Sequence, residues 1–253
     1  MKVHFIGIGG IGLSALARFL NFDGHEISGS DMKSSLITKA LEDEGIKVSC
    51  PQSASNIQDD FDLVIYSAAV TDENPELIEA RLKQIRTLSR KEALPIILGD
   101  KKNYCVAGAH GKSTTTAILA SILESSALIG AISKDFGSNF RYVNDLIAFE
   151  ADESDASFLL SNPHCAIVTN AEPEHMEYYH YDYDKFYGSY ERFLSLAKKR
   201  VVNAEDKDIA KLKIEDAVYL YPSKDIKNLC YTLKNGEPCT KFDLKDLGTF
   251  EVW

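Results

Sequence analysis

The sequence predicts an α/β protein built on parallel sheets, and three observations predict it. Short apolar runs alternate with helical patterns through the first hundred residues. The pattern pauses in the polar stretch Gly99-Asp100-Lys101-Lys102-Asn103 and then restarts. Each of the two series opens with the same order: a strand, a glycine-rich turn and a helix. Strands that alternate with helices pair in parallel through right-handed crossovers.

In the first series, Lys2–Ile6 reads as a buried strand and Ile11 to about Asn21 as a helix. Glu26–Ser30 reads as the next strand and Ser35–Glu44 as a helix. Leu63–Tyr66 is a third strand, and Pro75–Lys83 a helix with proline in the first turn, where its missing N–H costs nothing. The second series starts with a strand at Tyr104–Ala107 and a helix from Ser113 to about Leu123. Strands at Leu146–Glu150 and Ala166–Thr169, a helix over Asp184–Ala197 and a strand at Arg200–Asn203 follow. Beyond Asn203 the sequence turns to short strands, with Asn235-Gly236 the strongest turn signal. Tyr183, Phe186, Tyr187, Tyr190 and Phe193 recur at three- and four-residue steps, which predicts a core-facing helical stripe rather than a stacking platform.

Composition narrows the function. The net charge of −10 disfavours a phosphate backbone as partner, and no local basic patch offsets it, so nucleic-acid binding is not expected. Five scattered cysteines without a C-x-x-C pair predict free thiols in a reducing cytoplasm. No apolar run approaches the ~20 residues that span a bilayer, so no membrane insertion is expected. The apolar start lacks the basic region and cleavage site of a signal peptide.

Gly7-Ile8-Gly9-Gly10-Ile11-Gly12 fits G-x-G-x-x-G between a strand and a helix. Such a turn brings backbone close to a phosphate and points helix N–H groups at it. Asp31 ends the second strand, nineteen residues after Gly12, where an acceptor for a ribose hydroxyl is expected. Alone, this motif suits NAD as well as another diphosphate such as a UDP-sugar, and a tight turn without a ligand would look the same. The first unit, 1–100, is therefore expected to be a Rossmann-like parallel-sheet domain.

Gly108-Ala109-His110-Gly111-Lys112-Ser113 follows a strand and opens a helix, and it is followed by Thr114. This is a phosphate loop in the short form G-x-x-G-K-[ST], since the common longer form would need glycine where Val106 stands. Backbone N–H groups would cradle phosphate oxygens, Lys112 would neutralise the β and γ charges and the Ser113 hydroxyl would ligate Mg²⁺. The second unit, 101–253, is expected to be a P-loop α/β ATPase domain. Glu150-Ala151-Asp152-Glu153-Ser154-Asp155 ends a strand beside this loop, where acids can hold a metal that bridges phosphates. Thr169-Asn170 ends the next strand and Glu172-Pro173-Glu174-His175 follows.

Together these residues resemble the Mur ligase family, whose central domains carry the short loop as G-T-x-G-K-[ST]. The acidic segment 150–158, Thr169-Asn170, Glu172 and His175-Met176 look like those of the group that joins L-alanine to UDP-N-acetylmuramate. Gly7–Gly12, Ser30-Asp31, Ser67-Ala68-Ala69-Val70 and Arg90 are similar to that group's UDP-substrate domain. The resemblance covers most of 1–200 and implies an ATP-dependent amide ligase working through an acyl phosphate, with UDP-N-acetylmuramate and L-alanine as substrates. It implies that Lys112 contacts ATP phosphates with Gly108, Ala109, His110, Gly111, Ser113 and Thr114. It also implies that Ser113, Glu150 and His175 hold magnesium, with Lys112, Glu150 and His175 at the catalytic centre. The substrate contacts would then come from Gly7, Gly9, Gly10, Gly12, Ser30, Asp31, Ser67, Ala68 and Arg90. Ala109, Ser113 and Glu174 depart conservatively from the usual threonine, threonine and aspartate. The stretch between the loop helix and Glu150 is short and lacks most of the family's glycines. Family members continue into a third, C-terminal domain, so an end at Trp253 implies a chain that binds substrate without ligating. A murein-peptide recycling ligase is the nearest rival. An NAD-dependent dehydrogenase would leave the phosphate loop and the acids unexplained, and a nucleotide-binding regulatory module without turnover is a third class.

Overall fold

The computed structural model describes residues 1–99 and 101–252; Asp100, where the expected boundary falls, and Trp253 lie outside them. The first unit runs β1 (Lys2–Ile6), α1 (Ile11–Phe22), β2 (Glu26–Ser30), α2 (Leu36–Asp43) and β3 (Lys47–Ser49). It continues with β4 (Leu63–Tyr66), α3 (Pro75–Leu82), β5 (Arg86–Ser89) and α4 (Arg90–Leu98). Its sheet has the order β3-β2-β1-β4-β5 with every pair parallel. The strand order reverses at β1, and in open parallel sheets ligands bind beyond the carboxyl ends of the strands at that reversal. The glycine turn lies there.

The second unit runs β6 (Lys102–Ala107), α5 (Lys112–Ile122), β7 (Ser126–Leu128), β8 (Phe140–Arg141) and β9 (Leu146–Glu150). β10 (Pro163–Val168), α6 (Tyr183–Leu196), β11 (Lys199–Asn203) and β12 (Val218–Leu220) complete its sheet. The order β12-β11-β10-β6-β9-β7-β8 places β6 between β9 and β10. The loop after β6 is therefore flanked by Glu150 on one side and Thr169-Asn170 on the other. A short helix, α7 (Pro222–Asp225), leads into a three-stranded antiparallel sheet of β13 (Ile226–Lys234), β14 (Glu237–Leu244) and β15 (Gly248–Val252). Asn235 and Gly236 join β13 to β14 with φ of 54° and 84°, the left-handed pair that a tight hairpin requires.

The central strands β1, β4, β6, β9 and β10 are largely buried, as in sheets covered on both faces. Phe186, Tyr190 and Phe193 on α6 are fully buried and pack with Phe158, as the stripe predicts. Tyr183 departs from that expectation: as the first residue of α6 it is 57% exposed. β3, β5, α4, β7 and β8 are additions to the expected elements. The five cysteines are free, and among the described residues no helix is long and apolar enough to cross a membrane.

Candidate functional site

The first glycine turn is tied down from below. Gly7 and Ile8 donate their N–H groups to the Ser30 carbonyl at 2.8 and 2.9 Å. α1 then starts at Gly10 without a capping side chain, so its first-turn N–H groups have no side-chain acceptor. A side chain at Gly9 would displace the Asp31 carboxylate, since a Cβ would stand 2.8 Å from Asp31 Oδ2. The Asp31 carboxylate accepts from the Gly9 N–H at 2.8 Å and from the Met32 N–H at 2.8 Å. Asp31 thus clamps the turn and also lines the adjoining cleft.

Ser30 lies beneath the turn. Its side chain is fully buried and its hydroxyl donates to Glu76 Oε2. Glu76, also fully buried, accepts from the Ser53 N–H at 3.1 Å and Asn56 Nδ2 at 2.6 Å, with His4 Nε2 3.5 Å away. Burial alone would raise this carboxyl, but the bonds from His4, Ser30, Asn56 and Ser53 hold it below the usual range. A cleft of about 850 Å³ opens beside this network, lined by Gly7, Gly9, Gly10, Asp31, Ser67 and Asn74 among others. Ala68 is exposed next to Ser67 and lines neither this cleft nor the one described next.

The second glycine turn sits on β6. Gly108 has φ +141° and packs so closely on Thr169 and Asn170 that a Cβ would collide with both. The tip is bound to the end of β10: the His110 N–H donates to Asn170 Oδ1 at 3.0 Å, and the His110 carbonyl accepts from Thr169 Oγ1 and Asn170 Nδ2, each at 2.8 Å. Gly111 caps α5 in the left-handed region with no side-chain acceptor, again leaving first-turn N–H groups open. Lys112 Nζ donates to the Gly108 carbonyl at 2.6 Å, the Ala109 carbonyl at 3.3 Å and Glu153 Oε1 at 2.8 Å. An ammonium has three donors, so the protein itself satisfies all of them here. Glu153 is 2% exposed and its Oε2 has no partner. Burial pushes its carboxyl up, against the pull of Lys112.

The two turns share a cleft of about 320 Å³, lined by Gly10, Gly12 and Ser67 from one unit and Lys112, Gly130, Glu150 and Asp152 from the other. Arg90, the first residue of α4, reaches across it: its guanidinium lies against Gly12 and 3.6 Å from Asp152 Oδ2. Burial would raise the Asp152 carboxyl, but bonds from Ser154 and the charges of Arg90 and Lys112 hold it low. Glu150 Oε2 accepts from the Gly130 N–H at 2.7 Å.

The residues expected to hold magnesium are less tightly gathered. Ser113 and Thr114 line a third cleft with Lys134 and Asp135, Glu150 lines the shared cleft, and His175 is exposed with φ 52°. Among the described residues no three His, Cys, Asp or Glu side chains converge as a metal cage. Mg²⁺ in phosphate sites takes one or two protein oxygens and keeps phosphates and water for the rest. The hydroxyl of Ser113 and the carboxylates of Glu150 and Asp152 are hard donors of that kind.

Two α/β units thus meet at a cleft into which a glycine turn from each one opens, and both units match one family. Residues 2–102 match the family model described as "Mur ligase family, catalytic domain", and 106–232 match "Mur ligase middle domain". The chain belongs to the Mur ligase family. It is 58% identical over its whole length to a UDP-N-acetylmuramate–L-alanine ligase of Campylobacter curvus and 50% identical to one of Helicobacter pylori. It spans 58% and 56% of those proteins, so little more than half the length of the curated relatives is represented. Among solved structures, the UDP-N-acetylmuramate–alanine ligase of Thermotoga maritima superposes with a TM-score of 0.84 at 29% identity, covering all of this chain and 60% of that one. A UDP-N-acetylmuramate:L-alanyl-γ-D-glutamyl-meso-diaminopimelate ligase from Neisseria shares the fold, with a TM-score of 0.79 at 23% identity, over 98% of this chain and 85% of that one.

Sequence reasoning missed Glu76, Gly130 and Asn139. Glu76 reads as an ordinary first-turn acid of α3, and its burial comes from the Ser53–Asn56 segment folding over it. Asn139 lies in the stretch that lacked motif signal.

Proposed function

We propose that the chain carries the sugar-nucleotide and ATP sites of a ligase that joins L-alanine to UDP-N-acetylmuramate in peptidoglycan precursor synthesis. The single observation that carries this reading is the shared cleft, where a diphosphate-type turn and an ATP-type turn face each other across Arg90, Lys112, Glu150 and Asp152. The names of the relatives supply the substrates. In this reading 1–100 is the UDP-substrate domain and 101–253 the ATP domain. Gly7, Gly9, Gly10 and Gly12 receive the UDP diphosphate, with Asp31, Ser67, Ala68 and Arg90 around it and Ser30 supporting the turn from beneath. Gly108 to Thr114 cradle the ATP phosphates.

The muramyl carboxylate attacks the γ-phosphate of ATP, giving an acyl phosphate and ADP. The alanine amine then displaces phosphate and leaves an amide. Lys112 neutralises charge on the transferred phosphoryl group and Arg90 aligns the carboxylate, so the protein's part is positioning and electrostatics. Ser113, Glu150 and His175 are proposed to hold Mg²⁺, which would neutralise phosphate charge when bound.

Calorimetry tests the reading. Separate titrations should show binding of UDP-N-acetylmuramate and of Mg²⁺ with a non-hydrolysable ATP analogue, and none of NAD. Saturation at about 100 times the dissociation constant stabilises a fold by roughly 2.7 kcal/mol, so UDP-N-acetylmuramate should raise the melting temperature by several degrees. NAD binding without UDP-N-acetylmuramate binding would overturn the proposal. In a polypeptide of the relatives' full length, phosphate release driven by alanine and not by tripeptide separates this ligase from a peptide-recycling one.

A further inference from the structure

The two units meet along α4, where Lys91 Nζ donates to the Asp155 carbonyl at 2.7 Å and the Tyr178 hydroxyl at 2.9 Å, and along α1, where two aromatic pairs cross. Phe19 meets Phe140 edge-on at 6.1 Å and Phe22 stacks on Tyr142 at 3.9 Å. Such contacts hold surfaces together but specify angle and register weakly, whereas hydrogen bonds are directional. On the α1 side a buried directional contact also crosses the seam. Asn139, just before β8, is fully buried, and its amide enters the first turns of α1. Nδ2 donates to the Ile11 carbonyl at 2.5 Å and Ser14 Oγ at 2.8 Å, while Oδ1 accepts from Arg18 Nη1 at 2.6 Å. Both donors and the acceptor are used, so the amide fits one placement of α1 and no other. Arg18 is held in turn by Glu44, at 2.7 to 2.9 Å.

The backbone of Asn139 continues toward the ATP side. Its carbonyl accepts from the Ile129 N–H at 2.9 Å, and the next N–H, that of Gly130, donates to Glu150 Oε2 at 2.7 Å. A short path of hydrogen bonds thus runs from the helix turn that starts at the first glycine motif to a carboxylate beside the phosphate loop.

We infer that Asn139 is the positioning residue that fixes the sugar-nucleotide turn against the ATP site, so that a ligand held at one is felt at the other. The inference rests on the functional reading above. Asn139 touches neither ligand in this scheme, so its loss should leave each site intact within its own unit and weaken the tie between them.

The test is a set of titrations on this chain. The affinity for UDP-N-acetylmuramate is measured with and without a saturating Mg²⁺ complex of a non-hydrolysable ATP analogue. The wild-type chain should show a change of about fivefold or more between the two conditions, the scale of an ordinary coupling. Asn139→Ala and Asn139→Asp should bring that ratio to about one, with each ligand's own affinity changed less than about twofold. Ser14→Ala reaches the same bond from α1, with little risk to folding, and should reduce the ratio in the same direction. Phe22→Leu loosens the aromatic seam elsewhere and should leave the ratio near wild type. Coupling that survives both Asn139→Ala and Ser14→Ala overturns the inference, as does an equal loss in Phe22→Leu. Two ligands that bind the wild-type chain without influencing each other also overturn it, while the functional reading stands. If neither ligand binds, the functional reading fails first and takes the inference with it.

Discussion

The two glycine turns follow the same plan and are held in opposite electrostatic states. At the first, a protein carboxylate occupies an N–H that a phosphate would use: Asp31 accepts from Gly9. At the second, a cation is folded back over its own loop: Lys112 bonds two loop carbonyls and Glu153. Both starting helices lack a capping side chain, so both present open N–H groups and a positive end to an anion. The first site adds negative charge to that seat and the second adds positive charge. A ligand with a dispersed diphosphate can lie across the first, whereas the highly charged end of a triphosphate needs the second. In the proposed reading, Asp31 beside the first motif and Lys112 within the second distinguish a UDP-sugar turn from an ATP turn.

The largest expected effect separates the two turns by their glycines. At Gly108 a Cβ would meet Thr169 and the backbone of Asn170, and φ is +141°. Backbone cannot yield cheaply, so Gly108→Ala should cost roughly 2–4 kcal/mol of stability and abolish binding of the ATP analogue. At Gly9 the obstacle is the end of the Asp31 side chain and the methyl of Thr38. Gly9→Ala should therefore leave the fold intact and weaken only UDP-N-acetylmuramate. Thermal melts and calorimetry on both variants check this, and equal damage from the two would erase the distinction between the turns.

Lys112→Ala should act on one side only. Bonds from a charged donor are worth about 1.5–3 kcal/mol each, so the ATP analogue should bind about 10–100-fold more weakly. UDP-N-acetylmuramate should bind as before, since the larger cleft beside Gly7, Gly9 and Asp31 is lined by the first unit alone. A variant that loses both ligands while melting normally would point to a single shared site.

Much of this was legible in the sequence, and what was missed has a common physical cause. The glycine motifs and the strand-ending acids announce themselves through local spacing, and every strand that carries one was expected within a few residues of its place. β3 and β7 have three residues each and β8 two, too short for periodicity to register. α4 was obscured by Pro95 within Arg90–Leu98, although its capping box, Ser89 with Glu92, is in the sequence. Asp31 was expected at the end of β2, but its bond from the Gly9 N–H depends on how β2 ends against the turn. Asn139 gains its importance from residues more than a hundred positions away and Glu76 from residues twenty or more away, and no local pattern encodes that.

The smallest expected effect concerns the two buried glutamates behind the turns, and it has opposite signs. Glu76 is surrounded by donors and its carboxyl is held below its ordinary value of 4.5. A lowered carboxyl contributes stability above the unfolded value and loses it as pH falls through the folded one. Glu76→Gln should therefore destabilise by about 1–3 kcal/mol at neutral pH, through mismatched bonds to Ser53 and Asn56, and the gap to wild type should narrow below about pH 4.5. Glu153 has one partner and one orphaned oxygen, and burial raises its carboxyl above the same 4.5. Its contribution is fully present below the unfolded value and is lost as pH rises through the folded one. Glu153→Gln cannot ionise, so it should match wild type in acid and equal or exceed it at neutral pH, by about 1 kcal/mol or less. Denaturant unfolding of the three proteins across pH 3 to 8 reads both slopes. The measurement also tests the account of the second turn. A Glu153→Gln protein less stable than wild type at neutral pH would mean that the Lys112–Glu153 pair outweighs the burial of its carboxylate, and that Lys112 is anchored rather than held in reserve for phosphate.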